Sequence, residues 1–381
     1  MPRADKLLYG GSIDEAAMPR LVACCVDDTD DVTRATSTGL VAEAIAEAVG
    51  ALGGCMVLGI TRHQLLLAEG VPYTSHNSSM CFVARMPEDA SGALREHAAA
   101  EIARLSAASA DPGLCVADMP AAWFGTGAAP GAWATSPAAE RDRLAELTTF
   151  GARAKREVLS KADAYALAER IPWLTLSEHG DTGQGVIGAL AGVGLRLAGN
   201  DGRFRGKWDL AAMLGVKDAY VSVGMARAEL SALACGPVAV CDAAWVPIAD
   251  DVQLALDAEA KPVLHGGAIT LVCRMQDGVA APCRKLDLDG MSGVGLGMGE
   301  GARKRAAAFG GMSGMGRGCE RFQPDNDVEE QLLSRGHVCE NCLFRRKVAG
   351  GLSCMLGNSL AAVGSSVHAS ENSVAGSAAS I

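Results

Sequence analysis

The stretch CCVDDTDDVTRATSTG, residues 24–39, follows the apolar run Leu21-Val22-Ala23 and packs four aspartates into five consecutive positions. Leu21 to Val26 reads as a short buried strand, and Thr38 to Leu52 has the Ala/Val/Ile spacing of a helix, so the aspartates occupy a strand-to-helix loop. Carboxylates crowded at a strand end repel one another by about 1 kcal/mol per pair in partly screened surroundings. They persist most easily where a cation offsets them. Asp27, Asp28 and Asp30 are therefore candidate ligands for Mg²⁺, with Asp28 and Asp30 holding the ion while it bridges nucleotide phosphates. A solvated acidic loop that caps the next helix is the plainer alternative.

The chain has 381 residues, enough for two or three domains. Nearly half of the residues are apolar and few are aromatic, which excludes disordered and fibrous classes. The pattern predicts α/β plus α+β architecture. Residues 19–215 form a nucleotide-binding catalytic region, 216–290 an accessory α+β region of ferredoxin-like type, and 291–318 a Gly/Met-rich linker. A Cys-rich metal-binding region covers 319–357, and the Ser/Ala-rich tail 358–381 is expected to be disordered. The first twenty residues lack the apolar core of a secretory signal, and the apolar window 230–249 is interrupted by Pro237, Asp242 and Pro247. The expectation is a cytoplasmic protein with no membrane partner. The odd count of 13 cysteines argues against a disulfide framework.

Further strands are expected at Cys55 to Ile60, Met80 to Ala84 and Pro172 to Leu176. Helices are expected at Ser91 to Ala107 and through Arg141 to Arg170, with a loop over 121–136. The segment SEHGDTGQGVIGALAGVGLRLAG, starting at Ser177, opens into an apolar helix. Its Gly183, Gly185 and Gly188 fit the pattern G-x-G-x-x-G, whose free N–H groups and helix dipole suit phosphate. Equally, such glycines let a helix pack closely, and a lone motif of this kind specifies little. A dinucleotide-binding Rossmann site would place it directly after a first strand, whereas here it lies mid-chain.

Three blocks in order resemble the archaeal-type tRNA agmatidine (2-agmatinylcytidine) synthetases, which use ATP to attach agmatine to the wobble cytidine of an isoleucine tRNA. The family's Asp-Asp-Thr-Asp signature matches Asp27-Asp28-Thr29-Asp30, and its following hydroxyl-rich run falls on Thr36-Ser37-Thr38. Its Ile-Pro-Trp-Lys-Thr-Arg-Gly-Asn motif aligns with residues 71–78, VPYTSHNS, and its Gly-Arg-Gly-x-Ile-Gly-Ala-Leu-Ala motif with residues 183–191, GQGVIGALA. The resemblance spans residues 20–200. It implies a kinase-like α/β domain that binds ATP and Mg²⁺. In that reading Asp27, Asp28 and Asp30 serve the metal and catalysis, while Thr29, Thr38, Gly183, Gly185 and Gly188 contact the nucleotide. Ser37 takes the place of a threonine that can be phosphorylated.

Thr74, His76 and Gln184 stand where the family has Lys, Arg and Arg. Three cations expected near phosphate or RNA are thus absent, which predicts an altered acceptor, a small amine or nucleoside, with tRNA possible but disfavoured. His76 and His179 are candidate substitutes, because imidazole titrates near neutrality. The charge distribution agrees, with residues 1–150 carrying 10 Lys/Arg against 19 Asp/Glu and residues 261–381 carrying 13 against 11. A polynucleotide backbone would meet repulsion in the first half, and only Arg303–Arg305 and Arg345–Lys347 offer basic clusters. Cys319, Cys339, Cys342 and Cys354 include one C-x-x-C knuckle, suited to Zn²⁺ or an iron–sulfur cluster, or else to plain buried thiols. Two rival functions stay open: a noncatalytic RNA- or metal-binding regulator that retains the fold, and a Rossmann-type dinucleotide enzyme.

Overall fold

The computed structural model describes residues 18–31, 36–66, 68, 71, 77–124, 133, 135–257, 259–284 and 288, and the backbone of 8–10, 345–348 and 351–354. His76, Cys319, Cys339, Cys342 and the stretch 291–318 lie outside the described residues. The architecture is mixed α/β, with seven α-helices among the described residues and one large mixed sheet.

The first half runs β1 (Leu8–Gly10), β2 (Arg20–Asp27), α1 (Thr38–Gly50), β3 (Met56–Gln64), β4 (Ser78–Met86), α2 (Ser91–Leu105), β5 (Gly113–Pro120), α3 (Ala138–Arg153), α4 (Lys161–Ala168), β6 (Leu174–Glu178) and α5 (Gly185–Ala198). Its strands lie in the order β6-β5-β2-β4-β3, every neighbour antiparallel. Strand β2 is buried on both faces, so it reads as an unbroken apolar run and not as an alternation. Val22, Cys24 and Val26 pack with residues of α1 and α2 on one face. Leu21, Ala23 and Cys25 pack with residues of α3 and α5 on the other. A bulge between Leu58 and Ile60, taken up by Gly59 at φ +51°, resets the alternation within β3.

The later half adds β7 (Arg203–Phe204), β8 (Trp208–Asp209), α6 (Leu210–Leu214), β9 (Tyr220–Ser222), α7 (Val223–Leu233), β10 (Val238–Asp242), β11 (Gln253–Ala255), β12 (Glu259–Ala260), β13 (Val263–His265), β14 (Ala268–Gln276), β15 (Val279–Pro282) and a hairpin of β16 (Arg345–Val348) and β17 (Gly351–Cys354). Strand β7 pairs with both β3 and β13, which carries the sheet into this half. A separate cluster here joins Trp208, Leu210, Val221, Leu230, Leu254 and Leu271.

Helix α5 is apolar almost all round because it lies between the sheet and α3 and is covered on nearly every side. Its glycines set the spacing. A Cβ on Gly185 would overlap the backbone of Asp111 and Gly113, and one on Gly113 would overlap Gly185 in return. On the opposite side, a Cβ on Gly194 would overlap the Leu147 carbonyl, and one on Gly151 of α3 would come within 2.8 Å of the Ala191 carbonyl. Gly199, at φ +73°, ends the helix in the left-handed conformation that favours glycine.

Two elements differ from the sequence expectation. The single helix through 141–170 is two helices, because Ser160 and Asp163 form a capping box that starts α4 afresh. Strand β5 fills a gap that the sequence reading left unassigned. Gly185→Val should destabilise the fold by about 1–3 kcal/mol, the usual cost of overpacking a tight contact, read as a lowered urea midpoint. A midpoint equal to that of the parent protein would show that α5 does not sit at backbone contact with β5.

Candidate functional site at the acidic strand end

Strands β2 and β3 end, and β4 and β5 begin, on the same edge of the sheet, since Asp27 pairs with Gly113 and Gln64 with Ser78. Strand β6 ends there too, with Glu178 opposite Gly113. The three sequence blocks therefore meet at one place: the Asp27–Asp30 loop, the Asn77-Ser78 end of the second block, and the start of α5. The remainder of the second block, residues 72–76, lies outside the described residues.

Asp27 is the last residue of β2, and a Cβ on Gly188 would overlap its carboxylate. The Leu65 side chain closes in at 3.0 Å from the same point. Asp28 takes φ +52°, a left-handed conformation that Asp tolerates better than most residues. Thr29 is fully covered; its carbonyl accepts from the Ala107 N–H at 3.0 Å, and its hydroxyl has no hydrogen-bond partner among the described residues. Thr36 donates its hydroxyl to the Leu105 carbonyl at 2.9 Å, so the end of α2 holds both ends of the acidic loop. Ser37 caps α1, its hydroxyl accepting from the Leu40 N–H at 3.4 Å, and Thr38 begins that helix. The starts of α1 and α5 thus flank Asp27 from the two faces of the sheet.

The electrostatics of this end are strained. Burial raises the Asp27 carboxyl well above the usual range, and the neighbouring Asp28 adds to that against a backbone hydrogen bond that opposes it. Asp28 is pushed up to about 7 by desolvation, then by the charges of Asp30 and Asp111. The side chain of Asp28 still reaches solvent, while protein surrounds most of the carboxyl group itself.

Asp111 was not found from sequence, and it is the residue that organises the start of α5. Its carboxylate accepts the N–H groups of Thr182 at 3.0 Å, Gly183 at 2.8 Å and Gln184 at 2.6 Å, and also the Thr182 hydroxyl. Its own carbonyl accepts from the Gly185 N–H at 3.2 Å. Burial pushes its acidity down, but the Thr182 hydroxyl and these N–H groups outweigh it and hold the carboxyl below its ordinary value. An internal carboxylate therefore occupies the N–H groups that an incoming phosphate would use. No sequence signal beyond an Asp-Pro-Gly turn ahead of β5 marks it.

Gly183 sits at φ +72° with the Glu178 side chain where a Cβ would stand. Glu178 accepts from the Tyr165 hydroxyl at 2.7 Å, and Lys161 donates to the Thr182 carbonyl at 2.8 Å, so α4 braces the loop before α5. His179 follows β6; its N–H donates to the Pro112 carbonyl at 2.8 Å and its Nε2 lies 2.9 Å from the Ser177 hydroxyl. Desolvation lowers its basicity, which favours the neutral ring, a donor at one nitrogen and an acceptor at the other. Cys354 falls on β17, and the register folds it back opposite Arg345, three residues after Cys342.

No protein-family model matches the chain, and no curated protein matches it. Solved structures resemble part of it. Apo TiaS, a tRNA agmatidine synthetase, is 18% identical with a TM-score of 0.34, over 53% of this chain and 45% of that one. A complex of TiaS with its isoleucine tRNA and ATP is 22% identical at TM-score 0.34, over 46% and 36%. A complex of TiaS with the same tRNA, AMPCPP and agmatine is 21% identical at TM-score 0.33, over 45% and 36%. The chain thus spans less than half the length of these structures.

Among the described residues no group of three or more His, Cys, Asp or Glu side chains is arranged to hold a metal ion, and no helix is long and apolar enough to cross a membrane. Mg²⁺ commonly takes only one or two protein carboxylates, so the oxygen donors of Asp28 and Asp30 suit it chemically. Because the Asp28 carboxyl is raised in the folded state, its ionisation opposes folding. The penalty is absent below about pH 4, grows through the window up to about 7, and is complete above it. Asp28→Asn, which keeps the left-handed backbone, should melt above the parent protein at pH 8 and together with it at pH 4. A thermal shift independent of pH would show that Asp28 is not held protonated.

Proposed function

We propose that the chain is a Mg·ATP-dependent enzyme that carries out phosphoryl transfer or ATP-driven conjugation of a small amine or nucleoside, resembling agmatidine synthesis with an altered acceptor. The observation that carries this reading is the meeting of the three ordered sequence blocks at one sheet edge, around the Asp27 and Asp28 carboxyls that burial and neighbouring aspartates raise. In this reading Asp28 and Asp30 hold Mg²⁺, whose chemistry there is to neutralise charge on the nucleotide phosphates. Asp27 orients Asp28 from the strand end, and Thr29 and Thr38 line the loop. The start of α5 offers N–H groups to phosphate where it displaces the Asp111 carboxylate, Gly183, Gly185 and Gly188 holding the helix at that place, and Ser37, at the start of α1, is the candidate phosphoryl acceptor. His179 and His76 stand in for the absent cations by donating to phosphate oxygens, His179 as a neutral imidazole through its ring N–H.

Titration calorimetry with ATP and Mg²⁺ tests this. Replacing Asp28 and Asp30 together by Asn should weaken Mg-dependent ATP binding by at least about 100-fold in a folded protein. Unchanged affinity in that variant would remove the aspartates from the site.

One observation favours a second reading, a noncatalytic regulator that keeps the fold: the Asp111 carboxylate already fills the N–H groups at the start of α5. Absence of ATP binding with or without Mg²⁺ would select it. The Cys region is proposed to hold one zinc or iron centre through Cys319, Cys339, Cys342 and Cys354, the β16–β17 hairpin pairing Cys354 with Arg345, three residues along the chain from Cys342. Elemental analysis of protein purified without added metal should then give about one metal per chain. Metal-free protein with all four thiols freely titratable would rule it out.

A further inference from the structure

We infer that His63, Asp201, Thr61, Arg196 and Lys155 form a proton-sensitive latch inside the core, closed while the His63 ring is neutral. The latch ties the end of β3 to the segments that follow α3 and α5. It lies apart from the Asp27–Asp30 loop and does not depend on the function proposed above.

The side chains of Thr61 and His63 are fully buried. The bulge at Gly59 turns them toward α5. His63 Nδ1 lies 3.0 Å from Asp201 Oδ1, and Nε2 lies 2.8 Å from the Thr61 hydroxyl. A carboxylate against Nδ1 selects the tautomer with its proton there, which leaves Nε2 as the acceptor. The Thr61 hydroxyl has a single proton, for which Nε2 and the Cys81 carbonyl at 3.0 Å are alternative acceptors, and its oxygen accepts from Arg196 Nη1 at 3.0 Å. Arg196 further donates to the Leu58 carbonyl at 3.0 Å and stands over the Phe204 ring at 5.1 Å. Lys155 pairs with the other oxygen of Asp201, whose side chain is only 7% exposed. Gly202, at φ +111°, has no Cβ, and one there would approach His63 Cε1 to 2.8 Å. The ring is therefore clamped against bare backbone.

An acid–imidazole–hydroxyl sequence of this kind has the order of groups that activates a nucleophile. Here the hydroxyl is sealed in the core and engaged by His63, Arg196 and the Cys81 carbonyl, so no substrate reaches it. The arrangement works as a structural tie. The groups facing the ring are Thr61 on its own strand, the Cys81 carbonyl on β4, Arg196 on α5, Asp201 after α5 and Lys155 after α3. The cluster already sets two cations beside one carboxylate, and an imidazolium would add a third. Burial lowers the basicity of His63, and Arg196 and Lys155 lower it further against the opposing pull of Asp201.

The unfolded chain takes up a proton at His63 below about pH 6.5 and the folded chain only at a lower pH, so stability from this group is complete above about pH 6.5 and is lost as pH falls. Each pH unit below 6.5 should raise the unfolding constant about tenfold through this one site until the folded ring protonates.

Urea unfolding of the full chain between pH 7.5 and 5 tests the latch, comparing the parent protein with His63→Gln. His179 and His265 are lowered as well, and they contribute equally to both proteins. The variant should take up fewer protons on unfolding below about pH 6.5, by at most one. Equal proton uptake in the two proteins would overturn the latch. Should the variant not fold, ¹⁵N spectra of histidine-labelled parent protein decide: a ring that stays neutral with its proton on Nδ1 down to pH 5.5 supports the latch. A ring that titrates near pH 6.5 overturns it.

Discussion

The close approach of α5 to the strand ends governs this structure. Gly185 and Gly113 meet backbone to backbone, and Gly188 lies against the Asp27 carboxylate, so no side chain separates the helix from the sheet edge. Backbone contact of this sort is available only to glycine, and it fixes where the start of the helix points. Asp27, Asp111 and Glu178 all then lie against the same helix end. Had α5 carried alanines at these positions, it would have to lift from the sheet, and Asp27 would gain water where it now has protein. The raised Asp27 and Asp28 carboxyls are thus a consequence of packing as much as of charge.

Charge at this edge is divided unevenly. Asp111 is stabilised by the N–H groups of Thr182, Gly183 and Gln184, while Asp28 bears the repulsion of both Asp111 and Asp30. One aspartate completes the helix and another is left as its cost. A metal–nucleotide complex would act on both terms together, since a cation relieves Asp28 and phosphate oxygens compete with Asp111 for the same donors. Competition between an internal and an external anion weakens phosphate binding, and it also keeps the helix start ordered without ligand.

What sequence reveals here follows from which interactions are local. The β2 strand, the α1 helix and the glycine pattern of α5 were legible, because apolar runs, helical spacing and G-x-G-x-x-G are properties of neighbouring residues. The break between α3 and α4 was written locally too, in Ser160 and Asp163, but a continuing helical spacing obscured it. Strand β5, as long as β2 at eight residues, escaped because its run is broken by Asp118 and ends in Pro120, with Asp118 taken up by Arg20, 98 residues away, at 2.8 Å. Asp111 and the His63–Asp201 pair were invisible for the same reason. Their partners lie 71 and 138 positions off, and no spacing rule connects them. Of the two roles the glycine motif left open from sequence, close packing is the one geometrically evident. The space beside Gly183, Gly185 and Gly188 is taken by Glu178, by Asp111 with Gly113, and by Asp27, so phosphate contact at this helix start would have to come through the N–H groups that Asp111 holds.

Helix α5 further joins two regions that have no direct contact along the chain. Its start lies over Asp27, Gly192 lies over Cys25 and Ser79, and Arg196 near its end reaches Thr61 and Leu58 on β3. Asp201 then follows Gly199 at the helix end and closes on His63. Because the helix is wedged between the sheet and α3 by glycines on two sides, it has little freedom to bend or slide independently. Leu65, two residues beyond His63, stands close to the point where Gly188 meets Asp27. The buried ion cluster and the carboxylate edge are thus both packed against one helix, the first near its end and the second at its start, so the same wedge of glycines that seats the helix fixes the surroundings of both.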